Sequence, residues 1–289
     1  MKALAIDVGG TKIYNAVINE KGEIVSEIEK HSTPKDLEEI KKLFKSIIEK
    51  YENEIDVVGF STAGAVNNEN TRVISSTGNL VDGSKTIEFN KLSNKKVFVE
   101  NDANCAAWAE HILGASKGMA NSVMLTLGTG VGGGIIVDNK MLKGKSGAAG
   151  EMHFKMYPDK RRACTCGSYD CFEAYASGTG LKKTAEDMLN NPNATTYDVI
   201  DGIKAGDEKM TAIFNKWQDD ILAGIIGLAN LFDPDCFVLS GSMAEFVDTD
   251  YLEKGVNSQI ITMPTKVLKA TTGNYAGMVG AALLALGVK

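Results

Sequence analysis

Apolar and polar positions alternate along the chain between short runs and helical stripes. Lys2–Asp7 predicts a buried strand and Val8–Lys12, VGGTK, a tight turn. Ile13–Asn19 and Ile24–Glu29 predict two further strands, joined by a turn at Glu20–Gly22. Apolar residues at helical spacing predict a helix over Leu37–Glu52. Ile55–Phe60 reads as a strand, Ser61–Gly64 as a small-residue turn and Leu80–Asn90 as a loop. Val97–Glu100 reads as a buried strand ending in a carboxylate. Asn101 and Asp102 follow, and then an alanine-rich helix, Ala103–Glu110.

The pattern then starts again. Ser122–Leu127 predicts a strand, Gly128–Gly134 (GTGVGGG) a glycine loop and Gly134–Asp138 another strand, as Leu4–Asn15 does near the start. This recurrence predicts two related α/β halves facing each other across a cleft, with the boundary near the polar link Lys117–Asn121. Residues 1–117, joined by the C-terminal helix 276–289, are expected to form one domain and 118–275 the other. Ser146–Cys171 is irregular and carries three cysteines. Helices dominate from Gly178 to Phe232, Cys236–Ser240 predicts a strand entering Gly241–Ser242, and Ala276–Leu286 predicts a final helix.

Composition narrows the function. A hydrophobic fraction of 44% and a charged fraction of 24% are ordinary for a globular chain. A net charge of -6 with no long basic run argues against nucleic acid as a partner. The opening MKALAIDVGG lacks the apolar core of a signal peptide, and no stretch is long enough to span a bilayer. The cytoplasm is therefore the expected location, with no membrane partner. Five cysteines without a secretory signal imply reduced thiols or a metal. Cys105 and Cys236 sit on apolar faces and are expected to be inert core thiols, Trp108 and Trp217 to serve packing, and His111 to lie on the surface.

Three stretches carry candidate chemistry. In Asp7–Lys12, DVGGTK, the glycines allow backbone N–H groups to approach phosphate oxygens. Thr11 adds a hydroxyl and Lys12 a cation, and Asp7 can hold Mg²⁺. An ordinary hairpin turn explains the same hexapeptide equally well. Gly128–Gly134 is denser in glycine than a simple turn needs, which implies a close backbone approach and a second phosphate loop. Asp102 stands between these loops in the chain and at a strand end, where open α/β sheets bind ligands. It can cap the following helix. It can also accept the proton of an attacking hydroxyl during phosphoryl transfer, because a carboxylate is ionised at neutral pH. Asn101 beside it can hydrogen-bond sugar hydroxyls.

DVGGTK, VENDANCAAWAE, LGTGVGGG and CTCGSYDCFEAYASG, in this order, resemble the ROK family of sugar kinases and sugar-responsive repressors. The resemblance runs from Ala5 to the GAALLALG of Gly280–Gly287. It implies a two-domain actin/hexokinase-like (ribonuclease H-like) α/β fold with an interdomain cleft, binding a sugar and ATP with Mg²⁺, and a homodimer. It implies Asp102 as the base, with Asn101, Glu151, His153 and Glu173 at the sugar. Asp7, Gly9, Gly10, Thr11 and Lys12 would meet ATP, together with Gly128, Thr129, Gly130, Gly132, Gly241 and Ser242. STAGAV at Ser61–Val66 and VISSTGNLVDG at Val73–Gly83 resemble members that phosphorylate N-acetylmannosamine. On that reading Gly64 and Thr77 approach the sugar, and the small Gly64 and Ala65 leave room for an acetamido group. Rival readings are a glucokinase or fructokinase, or a regulator that no longer transfers phosphate.

The same resemblance implies a Zn²⁺ site. Cys164, Cys166 and Cys171 form C-x-C-x₄-C and need a fourth ligand. The family takes it from a histidine three residues after the glutamate at Glu151, and that position holds Phe154, with His153 one residue early. Two outcomes are open: a shifted loop lets His153 complete a Cys₃His site, or the cysteines stay metal-free.

Overall fold

The computed structural model describes residues 1–76, 80–159 and 161–289. The chain divides into two compact units. The first comprises Met1–Ala120, Gly134–Gly150 and Thr271–Lys289, and the second Asn121–Gly133 and Glu151–Ala270. The first unit therefore takes back residues 134–150 and the C-terminal helix.

In the first unit the chain runs β1 (Lys2–Val8), β2 (Lys12–Asn19), β3 (Glu29–Ser32), α1 (Leu37–Tyr51), β4 (Val57–Thr62), β5 (Ala65–Val66), β6 (Val73–Ser75), β7 (Lys96–Asn101) and α2 (Asp102–Ile112). Its sheet has the order β3-β2-β1-β4-β7. β1 and β2 are antiparallel, with Asp7 opposite Tyr14, while β1, β4 and β7 run parallel and end together at Val8, Thr62 and Asn101. β1 and β4 are buried along most of their length, as parallel strands covered on both faces must be, and β7, at the sheet edge, along half of its. α1 covers the sheet through Ile40, Phe44, Ile47, Ile48 and Tyr51, a single helical stripe. Phe44 meets Phe60 edge-on at 5.1 Å, and Phe60 meets Phe89 at 4.9 Å.

The predicted strand Ile24–Glu29 is displaced. β3 is instead the polar segment Glu29–Ser32, paired with Lys12–Asn15. It is an edge strand, so it needs no apolar face, and the apolar Ile24 and Val25 drew the prediction too early. His31 Nε2 lies 2.9 Å from Asn15 Oδ1, and Asn15 Nδ2 donates to Glu29 at 3.1 Å. The predicted loop Leu80–Asn90 contains two short 3₁₀ turns, Ser84–Thr86 and Phe89–Lys91.

The remaining elements are β8 (Ser122–Leu127), β9 (Val131–Val137), β10 (Lys140–Met141), α3 (Glu173–Ala176), α4 (Gly178–Leu189), α5 (Thr196–Lys204), α6 (Glu208–Phe232), β11 (Cys236–Ser240), α7 (Thr249–Asn257), β12 (Lys266–Lys269) and α8 (Ala276–Leu286). In the second unit β8, β11 and β12 are parallel, with Cys236 opposite both Ser122 and Lys266. Trp217 of α6 is fully buried and its indole N–H donates to the carbonyls of Ala176 and Ser177 at 3.1 Å. In the first unit α8 packs on α2 and on the β1–β4 face. α8 is apolar on nearly every side, which suits a helix enclosed by its neighbours.

The glycine-rich run is not all loop. Only Gly128–Gly130 turns, and Gly132, Gly133 and Gly134 lie within β9. A Cβ on Gly134 would stand 2.5 Å from the Ala107 Cβ and 3.0 Å from the Ala103 carbonyl, so this glycine lets α2 sit directly on β9. His111 is likewise not on the surface. It is buried beside Trp108, with ring centroids 5.3 Å apart, and that burial lowers its pKa. Cys105, Cys236, Trp108 and Trp217 are buried in the core.

Candidate active site

Three parallel strands of the first unit deliver polar groups at their ends. β1 ends at Asp7 and Val8, and the turn Gly9–Thr11 leads into β2, closed by the Gly9 N–H donating to the Lys12 carbonyl at 3.0 Å. Gly9, Gly10, Thr11 and Lys12 are all exposed. Asp7 accepts a hydrogen bond from the Ser61 hydroxyl of β4 at 2.6 Å. Desolvation raises the Asp7 pKa, and the Ser61 bond opposes the shift only in part. A divalent cation at this carboxylate would reverse the penalty, so the donor chemistry of Asp7 fits Mg²⁺.

At the end of β7 the capping role falls to Asn101, not Asp102. Asn101 Oδ1 accepts the Asn104 N–H at 3.0 Å, and Asn101 Nδ2 donates to the Gly64 carbonyl at 3.0 Å. Asp102 is the first residue of α2, exposed, and its Oδ1 accepts the Ala103 N–H at 2.8 Å. The positive end of the helix dipole favours an anion at this position. Gly64 has φ +88°, and a Cβ there would meet the Ser75 carbonyl at 2.4 Å. Backbone geometry alone therefore demands this glycine. Thr77, expected near the sugar, lies outside the described residues.

Sequence reasoning missed the support beneath Asp102. Glu100, only 1% exposed, accepts the Asn101 N–H at 2.8 Å and Asn104 Nδ2 at 3.1 Å on Oε1. Its Oε2 accepts Asn70 Nδ2 at 2.8 Å and pairs with Lys143 Nζ. Four donors thus satisfy a buried carboxylate and fix the strand end that carries Asn101 and Asp102. The glutamate was visible in the motif. Its partners Asn70 and Lys143 come from distant loops, and no local spacing announces them.

The second unit assembles another constellation. Gly128 N–H donates to the Gly130 carbonyl at 3.0 Å. The start of α4 pins this loop, because Gly178 N–H donates to the Gly128 carbonyl at 2.7 Å and the Thr179 hydroxyl to the Thr129 carbonyl at 2.7 Å. Gly132 N–H donates to the Thr126 hydroxyl at 3.1 Å, which ties it into the sheet. Glu173 accepts the Val131 N–H at 3.1 Å and the Thr165 hydroxyl at 2.5 Å. A Cβ on Gly130 would stand 2.5 Å from this carboxylate. Gly241, at φ +87°, turns the chain after β11, and the exposed Ser242 follows. Glu151 Oε2 lies 3.7 Å from His153 Nε2, and desolvation raises the Glu151 pKa.

The ligand-type atoms of His153, Cys164, Cys166 and Cys171 all lie within 4.8 Å of one another. His153 Nδ1 is 3.5 Å from Cys164 Sγ, and the sulfurs of Cys166 and Cys171 are 3.6 Å apart. Such separations match the edges of a tetrahedron with zinc–ligand bonds of about 2.0–2.3 Å, so the donor set fits zinc. Phe154 takes no part in this cluster. Its ring stacks on Phe172, with centroids 5.0 Å apart and planes 12° apart.

Comparison with known proteins bears on the family and the fold. The ROK family model matches residues 3–288. A glucokinase of Streptomyces coelicolor is 35% identical over 98% of this chain and 96% of its own length. An N-acetylmannosamine kinase of Vibrio cholerae is 33% identical over 92% of this chain and 91% of its own. The crystal structure of a ROK family glucokinase from Streptomyces griseus, in complex with glucose and AMPPNP, superimposes with a TM-score of 0.81 at 31% identity. That match covers 99% of this chain and 100% of the other. The fold is thus actin/hexokinase-like, and the chain belongs to the ROK family.

Proposed function

We propose that the chain is an ATP-dependent sugar kinase that phosphorylates N-acetyl-D-mannosamine at its 6-hydroxyl. The observation that carries the kinase reading is Asp102. It is an exposed carboxylate at the first position of α2, on a strand end fixed by Glu100, in a unit that also presents the DVGGTK turn. In the reaction the sugar O6 attacks the γ-phosphorus of ATP. The O6–P bond forms as the bond to the β-phosphate bridging oxygen breaks, and ADP leaves. Asp102 accepts the O6 proton. Asp7 is the residue to hold Mg²⁺, which when bound supplies charge neutralisation at the phosphates. Lys12, Gly9, Gly10 and Thr11 contact phosphate, as do Gly128, Thr129 and Gly130. Gly241 and Ser242 lie toward the nucleoside. Asn101 keeps a second Nδ2 hydrogen for a sugar hydroxyl, and Glu151 and Glu173 accept hydrogen bonds from sugar hydroxyls. His153, Cys164, Cys166 and Cys171 would hold Zn²⁺, which when bound would brace the loop before Glu173.

The acceptor assignment rests on STAGAV and VISSTGNLVDG and on the N-acetylmannosamine kinase relative. A glucokinase is the second reading, favoured by the relative at 35% identity and by the backbone reason found for Gly64. Coupled ADP release over glucose, fructose, mannose, N-acetylglucosamine and N-acetylmannosamine separates the two. The highest kcat/KM is expected for N-acetylmannosamine, and a higher value for glucose would replace the acceptor assignment.

A further inference from the structure

Beside the DVGGTK turn, the first unit holds a cavity of about 430 Å³ that includes Gly10, Thr11, Thr33, Lys35 and Asp82 in its lining. The segment carrying Lys35 is fastened to the turn. Thr33 donates its N–H to the Thr11 carbonyl at 3.1 Å and its hydroxyl to the Gly9 carbonyl at 2.7 Å. Asp36 caps α1, accepting the N–H groups of Glu38 at 2.9 Å and Glu39 at 3.0 Å. Lys35 is therefore held between two anchored residues, and Pro34 restricts the backbone further. Its side chain is exposed, and no ion pair among the described residues involves it. Among the described residues of the lining Asp82 is the one anion, so without Lys35 they would carry net negative charge.

We propose that Lys35 binds the phosphoryl group being transferred, as a second cation beside Lys12. The inference rests on the ATP-dependent reading above and extends it to a residue outside the glycine motifs. Charge on a transferring phosphoryl group spreads over its three equatorial oxygens, and positioned cations stabilise it. An ammonium suits this task because it acts as a point charge and needs no fixed orientation. Leu80 and Val81 form an apolar part of the same lining.

Calorimetric titration of the native chain, Lys35→Gln and Lys35→Arg with ADP and with the non-hydrolysable ATP analogue AMPPNP tests this contact. The two nucleotides differ in the γ-phosphate. Lys35→Gln should weaken AMPPNP about tenfold and ADP less than about twofold, and Lys35→Arg should restore most of the loss. Unchanged AMPPNP affinity in Lys35→Gln, or an equal loss for ADP, would overturn the proposal. A native chain that binds both nucleotides yet phosphorylates no hexose would defeat the kinase reading, while the AMPPNP–ADP difference would still decide the role of Lys35.

Discussion

Asn101 and Asp102 are chemically close enough to exchange roles, and the backbone decides between them. Asn101 has extended φ and ψ, and its side chain turns back onto the Asn104 N–H. Asp102 has entered the helix and points an exposed carboxylate from its first turn. Asp102→Asn keeps the shape and leaves the cap on Asn101, but the amide cannot take a proton. Phosphoryl transfer should fall by about 10²–10⁴ with the melting temperature and sugar binding unchanged. Near-native turnover in a sugar-binding variant would remove Asp102 from the chemistry. Asp170 offers a second test at this scale. Its side chain is buried, which would raise its pKa. The Tyr175 hydroxyl and the N–H groups of Arg162 and Arg161 more than reverse this and hold it at about 2, below the ordinary 3.8. A depressed carboxylate contributes stability that is complete above its unfolded pKa and is lost as pH falls through the folded one. The Asp170→Asn variant should therefore be less stable than the native chain at neutral pH, and the gap should shrink between about pH 4 and pH 2. A gap independent of pH in acid unfolding would contradict the assignment.

Elements with a strong apolar rhythm were readable from sequence. α8 falls at Ala276–Leu286 as predicted, and α1 ends one residue early, at Tyr51. The misses have local causes. β9 begins with Val131-Gly132-Gly133-Gly134, and glycine carries no side-chain period, so half a strand read as loop. The close approach of α2 that Gly134 permits is a tertiary fact, invisible in a linear pattern. β3 is polar because it lies at an edge, and the neighbouring apolar residues misplaced it. The cysteine loop was the element whose register sequence left undecided, and the structure sets His153 beside the cysteines and Phe154 on Phe172. Elemental analysis of protein purified without chelator should find about one zinc per chain, and His153→Ala should lower that content. Metal-free protein of full activity would make the cluster a set of thiols only.

Across the whole molecule, the two units repeat a strand–glycine turn–strand opening but use it differently. In the first unit the turn is exposed and stands at the end of β1, near Asp7 and Ser61. In the second it is pinned by the start of α4 and lies against Glu173, which itself reaches Thr165 of the cysteine loop. The recurrence was legible because both turns are short and glycine-rich. The chain's return from Gly134 to Gly150 into the first unit was not, since it depends on contacts such as Lys143 with Glu100 that span distant sequence. No helix among the described residues is long and apolar enough to cross a membrane. Every role assigned to the site residues depends on phosphoryl transfer from ATP to a sugar. Phosphorus NMR of the native chain with Mg²⁺, ATP and N-acetyl-D-mannosamine reads this directly. The expected result is one ADP formed for each new phosphate ester, with the ester on O6. ATP left intact with every hexose of the panel, in folded protein that binds nucleotide, would contradict it.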